Sequence, residues 1–399
     1  MRSRSKPKST DETAMQEAVV VDAKIGEAKI SEAKLDAALF RRRLMAWYKD
    51  HARELPWRDV SDPYRTWLSE VMLQQTRVAA VVEHYENFLR KFPTMLALAL
   101  ASESEVLATW SGLGYYRRAR LLHKTAQFLT RERGGVLPGT AAELRTLPGI
   151  GEYTSAAIAS IAFGESVAVV DGNVERVLLR VMGRPEDKTA EGRARVQRKA
   201  GALMPKGHMG QGRNAAGDHN QAMMELGATL CLPRNPLCLH CPVYSMCRTR
   251  GEHVTPPRMA QLSRPAAYLL SLRKRGRATE VLLELRADDA SLMPGMYELP
   301  PLPLDAVQGR EPLLRLRHAI TNTNYYVQVF AGHGAGHEVG DSGLRRSVPA
   351  ANRDLHWVLT SRLNTLPLTG LARKVLQRLD VMAVNLPKLP AELVGARVS

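Results

Sequence analysis

The segment 147-LPGIGEYTSAAIAS-160 has two closely spaced glycines, followed by a run of helix-forming residues. Gly149 and Gly151 predict a tight turn that joins two helices. The backbone N–H groups of such a turn, together with the N-terminus of the next helix, form a natural seat for a phosphate group. A packing corner between two helices gives the same local pattern, so this segment alone leaves both interpretations open.

The sequence around this segment predicts a multi-domain chain. Residues 38–250 are helical in pattern almost throughout, with short Gly and Pro breaks and capping boxes, which predicts an all-α domain. Residues 265–388 contain strand patterns and a terminal helix, which predicts a smaller α/β domain. We expect a disordered tail at 1–37, a proline-containing linker at 251–264 and a second tail at 389–399.

The charge of the chain indicates a polyanionic partner. The formal net charge is +16, and residues 38–264 hold 32 basic against 21 acidic residues. Lys and Arg that face phosphates release counterions and gain affinity, so a nucleic acid is the natural candidate. No apolar run has the length of a membrane helix, and the N-terminus lacks the apolar core of a secretory signal. We therefore expect a cytoplasmic protein without a membrane partner.

All four cysteines of the chain lie within 231-CLPRNPLCLHCPVYSMC-247. A cytosolic setting disfavours disulfides, and four cysteines so close together in a long chain indicate metal ligands rather than buried thiols. Zinc and a [4Fe-4S] cluster are the alternatives. Zinc sites of this kind usually contain two C-x2-C pairs, whereas only Cys238 and Cys241 form one here, so the spacing favours the cluster. Its predicted ligands are Cys231, Cys238, Cys241 and Cys247.

Several motifs together resemble a known superfamily. The glycine turn, 169-VVDGNVERVL-178 and the cysteine loop occur in the order found in the helix-hairpin-helix DNA glycosylases of the endonuclease III superfamily, and the resemblance covers residues 40–250. The segments 68-LSEVMLQQTRV-78, 111-SGLGYYRRAR-120 and 220-NQAMMELGA-228 narrow it to the MutY family of adenine DNA glycosylases. The resemblance implies a monomeric, nucleoid-associated enzyme of base excision repair. Its expected substrate is adenine opposite 8-oxoguanine or guanine in double-stranded DNA.

The resemblance also implies the catalytic residues. Bifunctional members of the superfamily carry a Schiff-base lysine where this chain has Tyr153, and a phenol cannot form an imine, so simple hydrolysis is expected. Glu70 matches the general acid that protonates adenine N7, because a carboxyl group in an apolar helix keeps its proton near neutral pH. Asp171 opens a helix, stays ionised there and matches the anion that stabilises the cationic sugar. Tyr153 and Asn173 are expected to orient these groups.

Other matched positions are expected to contact DNA. A base inside a duplex must be flipped into a pocket before it can react, and the gap must be filled. Gln75 and Tyr115 match the residues that wedge beside the opposite base, and Arg58 and Glu225 match positions that contact the adenine. Gly149 and Gly151 belong to the phosphate seat. We expect the phosphate track beside the wedge to include Arg117, Arg118 and Arg120.

The second domain is expected to resemble the Nudix hydrolase fold, which in this family helps to recognise 8-oxoguanine. The catalytic Nudix motif is absent from the sequence, so nucleotide hydrolysis is not expected. The Phe-Ser-His recognition loop of the family corresponds here to Ile320-Thr321-Asn322. Thr321 and Asn322 are the residues expected to contact DNA in this altered loop.

Other functions remain open on the sequence alone. A glycosylase of the same superfamily with another mismatch preference, such as thymine opposite guanine, would carry most of these motifs. A catalytically inactive iron–sulfur protein that binds DNA is an alternative from another class, and a [4Fe-4S] electron carrier is a more distant one.

Overall fold

The computed structural model of the chain describes residues 35–58, 60, 62–206, 214–253, 261–332, 344 and 354–382. Most of the predicted first tail, the centre of the predicted linker and the predicted second tail lie outside these residues. The described part divides into a helical domain followed by a smaller α/β domain, so the two-part fold class expected from the sequence is confirmed. None of its helices is both long and apolar enough to cross a membrane.

The helical domain consists of helices and short turns in the described residues. Its helices are α1 Ala37–His51, α2 Pro63–Leu73, α3 Val78–Lys91, α4 Met95–Leu100, α5 Glu103–Trp110, α6 Arg117–Arg133, α7 Ala141–Leu144, α8 Glu152–Phe163, α9 Gly172–Met182, α10 Ala190–Leu203 and α11 Ala215–Thr229. The cysteine loop follows α11 and contains the 3-10 turns Cys238–His240 and Tyr244–Met246.

Side-chain caps begin several of these helices where the sequence predicts them. Ser102 and Glu105 form a reciprocal capping box at the start of α5. Thr140 accepts the backbone N–H of Glu143 at the start of α7. Asp171 accepts the backbone N–H of Val174, which confirms its predicted place at the N-cap of α9. These caps fix where each helix starts and therefore where the polar residues between the helices lie.

Two apolar clusters form the core of the helical domain. One gathers residues from α2 to α8, including Trp67, Phe88 and Trp110. The other gathers residues from α1, α9, α10 and α11, including Phe40 and Leu178. Helix α2 packs against α8, and α11 packs against both α8 and α9. The N-terminal ends of α8 and α9 therefore lie where the two halves of the domain meet.

The α/β domain contains a mixed sheet. Its elements are β1 Leu262–Arg275, β2 Ala278–Leu285, β3 Tyr297–Glu298, β4 Pro301–Leu302, β5 Leu314–Ile320, β6 Thr323–Gly332, β7 Asp354–Leu359 and α12 Gly370–Arg378. The strand order is β3-β2-β1-β6-β5, with β4 paired to β1 and β7 paired to β2. Strands β1 and β6 are parallel, whereas the other pairs are antiparallel. Helix α12 packs its apolar face on the sheet core.

One predicted boundary differs from the structure. The sequence assigns residues 251–264 to a linker, but β1 already begins at Leu262. The first four residues of β1 are exposed and include Ser263, Arg264 and Pro265, which is why their pattern resembles a linker. Their backbone pairs with β6, from Leu262 opposite Thr323 onwards. This pairing partner is 61 positions away in the sequence, so local composition carries no signal for it.

Candidate active site

Glu70 lies in the middle of α2, and only 5% of its surface is exposed. Its neighbours Leu68, Ser69, Val71 and Met72 are buried as well, so the carboxyl group sits among apolar core residues. The Tyr153 hydroxyl from α8 donates a hydrogen bond of 2.6 Å to Glu70 Oε2. The structure therefore brings the predicted general acid into contact with Tyr153, the residue that stands where bifunctional members of the superfamily carry a lysine.

Burial controls the protonation of Glu70. Loss of water around the carboxyl group has the largest effect, the hydrogen bond from Tyr153 acts in the opposite direction, and the negative charge of Asp171 adds to the rise; together they raise the pKa of Glu70 to about 7. The pKa of Tyr153 is also raised, by its own burial and by the charge of Glu70, so the phenol keeps its proton. Glu70 can thus hold and release a proton near neutral pH, whereas Tyr153 acts as a hydrogen-bond donor.

Asp171 occupies a different environment at the start of α9. Its Oδ1 atom accepts the backbone N–H of Val174 at 2.7 Å, and its Oδ2 atom accepts Asn173 Nδ2 at 3.2 Å. Asn173 is itself held by Arg176, whose Nη2 atom donates to Asn173 Oδ1 at 2.8 Å. The two predicted orienting residues, Tyr153 and Asn173, therefore contact Glu70 and Asp171 respectively.

The two glycines of the turn before α8 differ in what the fold requires of them. Gly149 has φ +74°, and an added Cβ would lie 2.6 Å from Leu121 Cβ, so only glycine fits there. Gly151 has φ −89°, which any residue can adopt, and an added Cβ would meet no atom within 4 Å. No side chain caps the N-terminus of α8. The backbone at this end of the helix is thus open to a ligand, as the sequence predicts for a phosphate seat.

A cavity of about 810 Å³ connects several of these groups. Its walls come from the end of α2, the glycine turn and the start of α9. The predicted site residues that line it are Gln75, Gly149, Gly151, Tyr153, Asp171 and Asn173. Glu70 reaches this cavity through its hydrogen bond to Tyr153. Three parts of the sequence that are far apart along the chain are thus gathered at one site.

The two predicted wedge residues share an unusual backbone conformation. Gln75 has φ +55° and Tyr115 has φ +47°, both in the left-handed region that non-glycine residues rarely adopt. Both residues are exposed. Such a conformation persists only when the surrounding structure enforces it, and it is typical of functional sites.

Arg118 supplies much of that enforcement. Its guanidinium group donates to the carbonyl oxygens of Val71, Met72 and Gln74 at the end of α2, at 2.8, 3.1 and 2.5 Å. It also donates to the carbonyl oxygens of Leu113 and Gly114, and it lies 5.3 Å from the centre of the Tyr115 ring. One partly buried guanidinium group thus ties the turn that carries Gln75 to the loop that carries Tyr115.

These contacts correct part of the predicted phosphate track. Arg118 uses its donors within the protein, and Arg120 pairs with Glu103 at 2.7 Å and donates to the carbonyl of Pro294 in the second domain. Arg117 is exposed, as expected of a residue that contacts phosphate. The sequence shows all three as arginines in one motif, and only the positions of the neighbouring carbonyl groups distinguish them.

Arg58 and Glu225, both predicted to contact adenine, form an ion pair. Arg58 Nη2 lies 2.6 Å from Glu225 Oε2, and only 1% of the Glu225 side chain is exposed. Arg53, which the sequence analysis did not identify, completes the cluster, with Nε and Nη2 at 2.6 and 2.8 Å from the two carboxylate oxygens. Burial alone would raise the pKa of Glu225, but the hydrogen bonds from Arg53 and Arg58 lower it.

This ion-pair cluster borders a second cavity. Arg53 and Arg58 line it together with residues of α1 and α11, and its volume is about 980 Å³. The structure does not bring Arg58 into the cavity that holds Tyr153 and Asp171. The two regions are linked through α11, because the sulfur of Met224, next to Glu225, lies 3.7 Å from the Tyr153 hydroxyl. A buried glutamate such as Glu225 usually pairs with a cation, but the sequence does not indicate that Arg53 is one of its partners.

The cysteine loop is anchored to α9 by two arginines. Arg180 is only 3% exposed and donates to Cys231 Sγ at 3.3 Å and to the carbonyl oxygens of Leu232 and Pro233 at 2.7 and 3.0 Å. Arg176 Nε donates to the carbonyl oxygen of Cys231 at 2.7 Å. Arg176 therefore contacts both the cysteine loop and the Asn173 side chain of the candidate site.

The four predicted ligand cysteines lie close enough to influence one another. Burial, and to a smaller extent the charges of Cys231, Cys247 and Cys238, raise the pKa of the Cys241 thiol to about 11. Within the described residues, no three His, Cys, Asp or Glu side chains form a ready site for a single metal ion. The cysteines are not joined by disulfides.

Thr321 and Asn322 lie in the turn between β5 and β6 and are exposed. Thr321 has φ +51°, and its hydroxyl donates to the carbonyl oxygen of Ile320 at 2.8 Å. The carbonyl oxygen of Asn322 accepts the backbone N–H of Leu262 at 3.1 Å. These contacts lie within the second domain, so the structure presents the altered loop as the tip of a β-hairpin.

The helical part of the chain is similar to known DNA repair proteins. The model of the HhH-GPD superfamily base excision DNA repair protein family matches residues 68–201. The adenine DNA glycosylase of Mus musculus is 43% identical over 261 residues, which cover 62% of this chain and 48% of that protein. The adenine DNA glycosylase of Mycobacterium tuberculosis (strain ATCC 25618 / H37Rv) is 39% identical over 241 residues, which cover 60% of this chain and 77% of that protein.

The solved structure of a thermostable thymine-DNA glycosylase is 27% identical to the chain and covers 54% of it and 96% of that structure, with a TM-score of 0.49. The chain spans about half the length of the mammalian relatives that it matches.

Proposed function

The chain belongs to the adenine DNA glycosylase family, and we propose that it is a monofunctional enzyme that hydrolyses the N-glycosidic bond of adenine mispaired with 8-oxoguanine or guanine. Its partner in this proposal is double-stranded DNA, on which it acts as a monomer in base excision repair at the cytoplasmic nucleoid. Similarity to the curated adenine DNA glycosylases and the geometry around Glu70 both support this function.

Glu70 is the proposed general acid. The bond between adenine N9 and deoxyribose C1′ breaks with its electron pair moving to the base, and a purine anion is a poor leaving group. A proton delivered to adenine N7 removes that charge as it develops. A carboxyl group with a pKa of about 7 still holds its proton in a large fraction of molecules at neutral pH, whereas an exposed glutamate does not.

Asp171 is the proposed stabiliser of the sugar. Departure of the base leaves positive charge on C1′ and the ring oxygen, and a fixed carboxylate lowers the energy of that cation. Water then adds to C1′, and its proton passes to the Glu70 carboxylate that had given up its own proton. The atoms balance without a covalent imine, and Tyr153 at the position of the superfamily's lysine supports hydrolysis. This division of roles between two carboxylates parallels that of glycoside hydrolases.

The proposed DNA contacts surround this chemistry. The uncapped N-terminus of α8 and the open space over Gly151 suit a phosphate of the backbone. Gln75 and Tyr115 project from turns of enforced left-handed backbone and are proposed to fill the space vacated by the flipped adenine. Thr321 and Asn322 are proposed to contact the opposite base. Arg58 and Glu225 are proposed as adenine contacts from the family resemblance alone, because in the structure they pair with each other and Arg58 lines the neighbouring cavity.

The cysteine loop is proposed to hold a [4Fe-4S] cluster. The donor set fits this group, because four thiols are gathered in one loop, and the buried Arg180 side chain donates to Cys231 Sγ at 3.3 Å. When bound, the cluster would cross-link the loop that α9 carries through Arg176 and Arg180. Iron analysis and visible absorption of the purified protein test this assignment, with Cys238→Ser expected to lose most of the iron.

The observation that carries the proposed function is the buried Glu70 carboxyl group with its 2.6 Å hydrogen bond from Tyr153. Single-turnover release of the base tests it, with duplexes that place adenine opposite 8-oxoguanine, guanine or thymine. Glu70→Gln should reduce adenine release by at least about a hundredfold, the range of general acid catalysis. Glu86→Gln, a change of the same chemistry on an exposed residue of α3, is the matched control.

Three outcomes would overturn this function in different ways. Full activity in Glu70→Gln would refute the role of the acid. Release of thymine rather than adenine would assign the chain another mismatch preference. Tight binding of the mispaired duplexes without release of any base would make it a DNA-binding protein.

A further inference from the structure

The loop that carries Tyr115 has an unusual backbone. Within Ser111–Tyr116, Gly112, Gly114 and Tyr115 have φ values of +113°, +67° and +47°. Tyr115 is 50% exposed, whereas its neighbours Leu113 and Tyr116 are 5% and 4% exposed. The loop therefore projects one aromatic ring outward, while the residues on either side of that ring are buried. Contacts with other parts of the protein must hold these buried residues, because two glycines and one strained residue give the loop backbone little conformational preference of its own.

The second domain supplies that anchor. The hydroxyl of Ser111 donates to the carbonyl oxygen of Leu368 at 2.9 Å, and the hydroxyl of Tyr116 donates to the same oxygen at 3.1 Å. Arg373 Nε donates to Ser111 Oγ at 2.9 Å, which leaves the Ser111 proton free to point at Leu368. Ser111, Tyr116 and Leu368 are all at least nine-tenths buried, so water does not compete for these bonds.

The acceptor is itself rigidly held. Leu368 lies directly before Thr369, which caps α12 through the backbone N–H of Ala372. The Thr369 hydroxyl donates to Glu298 Oε2 at 2.6 Å, and the Glu298 carboxyl group is buried in the second domain. The neighbouring Met296 is fully buried in the apolar cluster of the helical domain. The Leu368 carbonyl group is thus a fixed point of the second domain, positioned against the loop of the first.

We propose that the second domain positions the Tyr115 wedge through an interdomain clamp, which consists of Ser111, Tyr116, Arg373 and the carbonyl group of Leu368. This inference rests on the proposed function, in which Tyr115 enters the duplex beside the opposite base. The clamp residues contact neither the base nor the reacting atoms. They act by fixing the loop, so that Tyr115 is already oriented when DNA binds and no binding energy is spent on ordering it.

Through the clamp, the second domain can contribute to recognition of the base opposite the adenine without using its altered hairpin. The hairpin tip Ile320-Thr321-Asn322 lacks the aromatic ring and the imidazole of the recognition loop in the family that the chain resembles. The clamp acts from α12 and its cap, at the other end of the domain sequence. A second domain whose hairpin reads the lesion weakly still contributes by holding the wedge that probes the same base.

The test combines a positional signal with the rate of base release. A 2-aminopurine placed beside the base opposite the adenine becomes fluorescent when a wedge unstacks it. The double variant Ser111→Ala/Tyr116→Phe removes both donors to Leu368 with almost no change in volume. Tyr326→Phe is the control, because it removes an exposed tyrosine hydroxyl from β6 of the second domain. Fluorescence is measured in the Glu70→Gln background, where it does not depend on catalysis.

We expect the clamp variant to lose at least half of the fluorescence rise and, with Glu70 restored, to release adenine about tenfold more slowly, while Tyr326→Phe stays within twofold of the wild type. Two lost hydrogen bonds of ordinary net strength correspond to a change of this size. Equal fluorescence and equal rates in clamp variant and wild type would overturn the inference. So would the absence of any fluorescence rise in the wild type, because Tyr115 would then not be a wedge.

Failure of the proposed function would look different. A wild-type protein that releases no adenine, but whose fluorescence rise is lost in the clamp variant, would refute the enzyme activity and support the clamp. The single variants Ser111→Ala and Tyr116→Phe each leave one donor on Leu368, so they keep the test valid if the double variant does not fold. Thermal unfolding of each variant identifies such a case.

Discussion

Replacement of Tyr153 by phenylalanine should move the alkaline limit of base release to higher pH. The Tyr153 hydroxyl donates a hydrogen bond of 2.6 Å to Glu70 Oε2. This bond favours the ionised carboxylate, so it lowers the pKa of Glu70, which burial raises. Phenylalanine removes the donor and keeps the ring. The carboxyl group then holds its proton to higher pH, and the general acid stays active over a wider range.

The size of the shift follows from the strength of the bond. A hydrogen bond to a charged group contributes about 1.5–3 kcal/mol, and 1.36 kcal/mol corresponds to one pKa unit. Release by the wild type should decline above about pH 7, where Glu70 loses its proton. The decline of the Tyr153→Phe variant should begin about one to two pH units higher. The rate of adenine release on the low-pH plateau should fall as well, because Tyr153 no longer orients Glu70. The pH at which the rate begins to decline does not depend on the height of that plateau.

The assay is single-turnover release of adenine from pH 5 to 10, fitted for the position of the alkaline decline. Tyr85→Phe is the control, because Tyr85 is a buried tyrosine of the same domain whose hydroxyl has no hydrogen-bond partner in the described structure. Its profile should match that of the wild type. A decline at the same pH in Tyr153→Phe, or at lower pH, would refute the claim that this hydroxyl stabilises the Glu70 anion.

Three further predictions concern stability and DNA binding. Glu70→Gln should stabilise the protein by up to about 3 kcal/mol at pH 8. The Glu70 carboxyl group has a pKa of about 7 in the native state against 4.5 in the unfolded state, so the native state binds more protons between these two pH values and wild-type stability falls as pH rises from 4.5 to 7. Urea unfolding of the wild type and the variant at pH 4 and pH 8 measures the difference. Arg118→Lys should slow adenine release at least about tenfold, because one ammonium cannot reach the carbonyls of both wedge turns, whereas Arg117→Lys should stay within about twofold. Gly149→Ala should cost roughly 2 kcal/mol or more in thermal unfolding, because its Cβ meets Leu121 at φ +74°, whereas Gly151→Ala should fold normally and weaken DNA binding in a filter assay.

The sequence was most informative where function depends on local chemistry. Helix starts follow from capping residues such as Ser102 and Asp171, whose side chains bond backbone groups only three positions away. The strands around the Lys-Arg-Gly turn and the terminal helix α12 follow from periodicity and turn chemistry. The cysteine spacing predicts a loop because all its members lie in one short segment.

The sequence was least informative where partners are backbone groups or lie far along the chain. Arg53 and Glu225 are 172 positions apart, and nothing local indicates that they meet. Arg118 lies in a motif of three arginines, but its partners are mostly carbonyl oxygens, which every residue has. For the same reason the sequence does not identify the Leu368 carbonyl oxygen of the interdomain clamp as a hydrogen-bond acceptor. Only a folded chain shows which of many equivalent carbonyl groups a donor will reach.

The two carboxyl groups at the candidate site have different hydrogen-bond donors because they occupy different positions in their helices. Glu70 lies within a helix, where every backbone N–H is already used by the helix itself, and among the described residues it is the Tyr153 hydroxyl that donates to its carboxyl group. Asp171 begins a helix and accepts a free N–H group there. Because the Asp171 charge also raises the pKa of Glu70, the ionised residue helps its partner to stay protonated. The anion that would stabilise the sugar cation therefore also maintains the acid, and neutralising it would weaken both steps at once, with the alkaline decline moving in the direction opposite to that caused by loss of Tyr153.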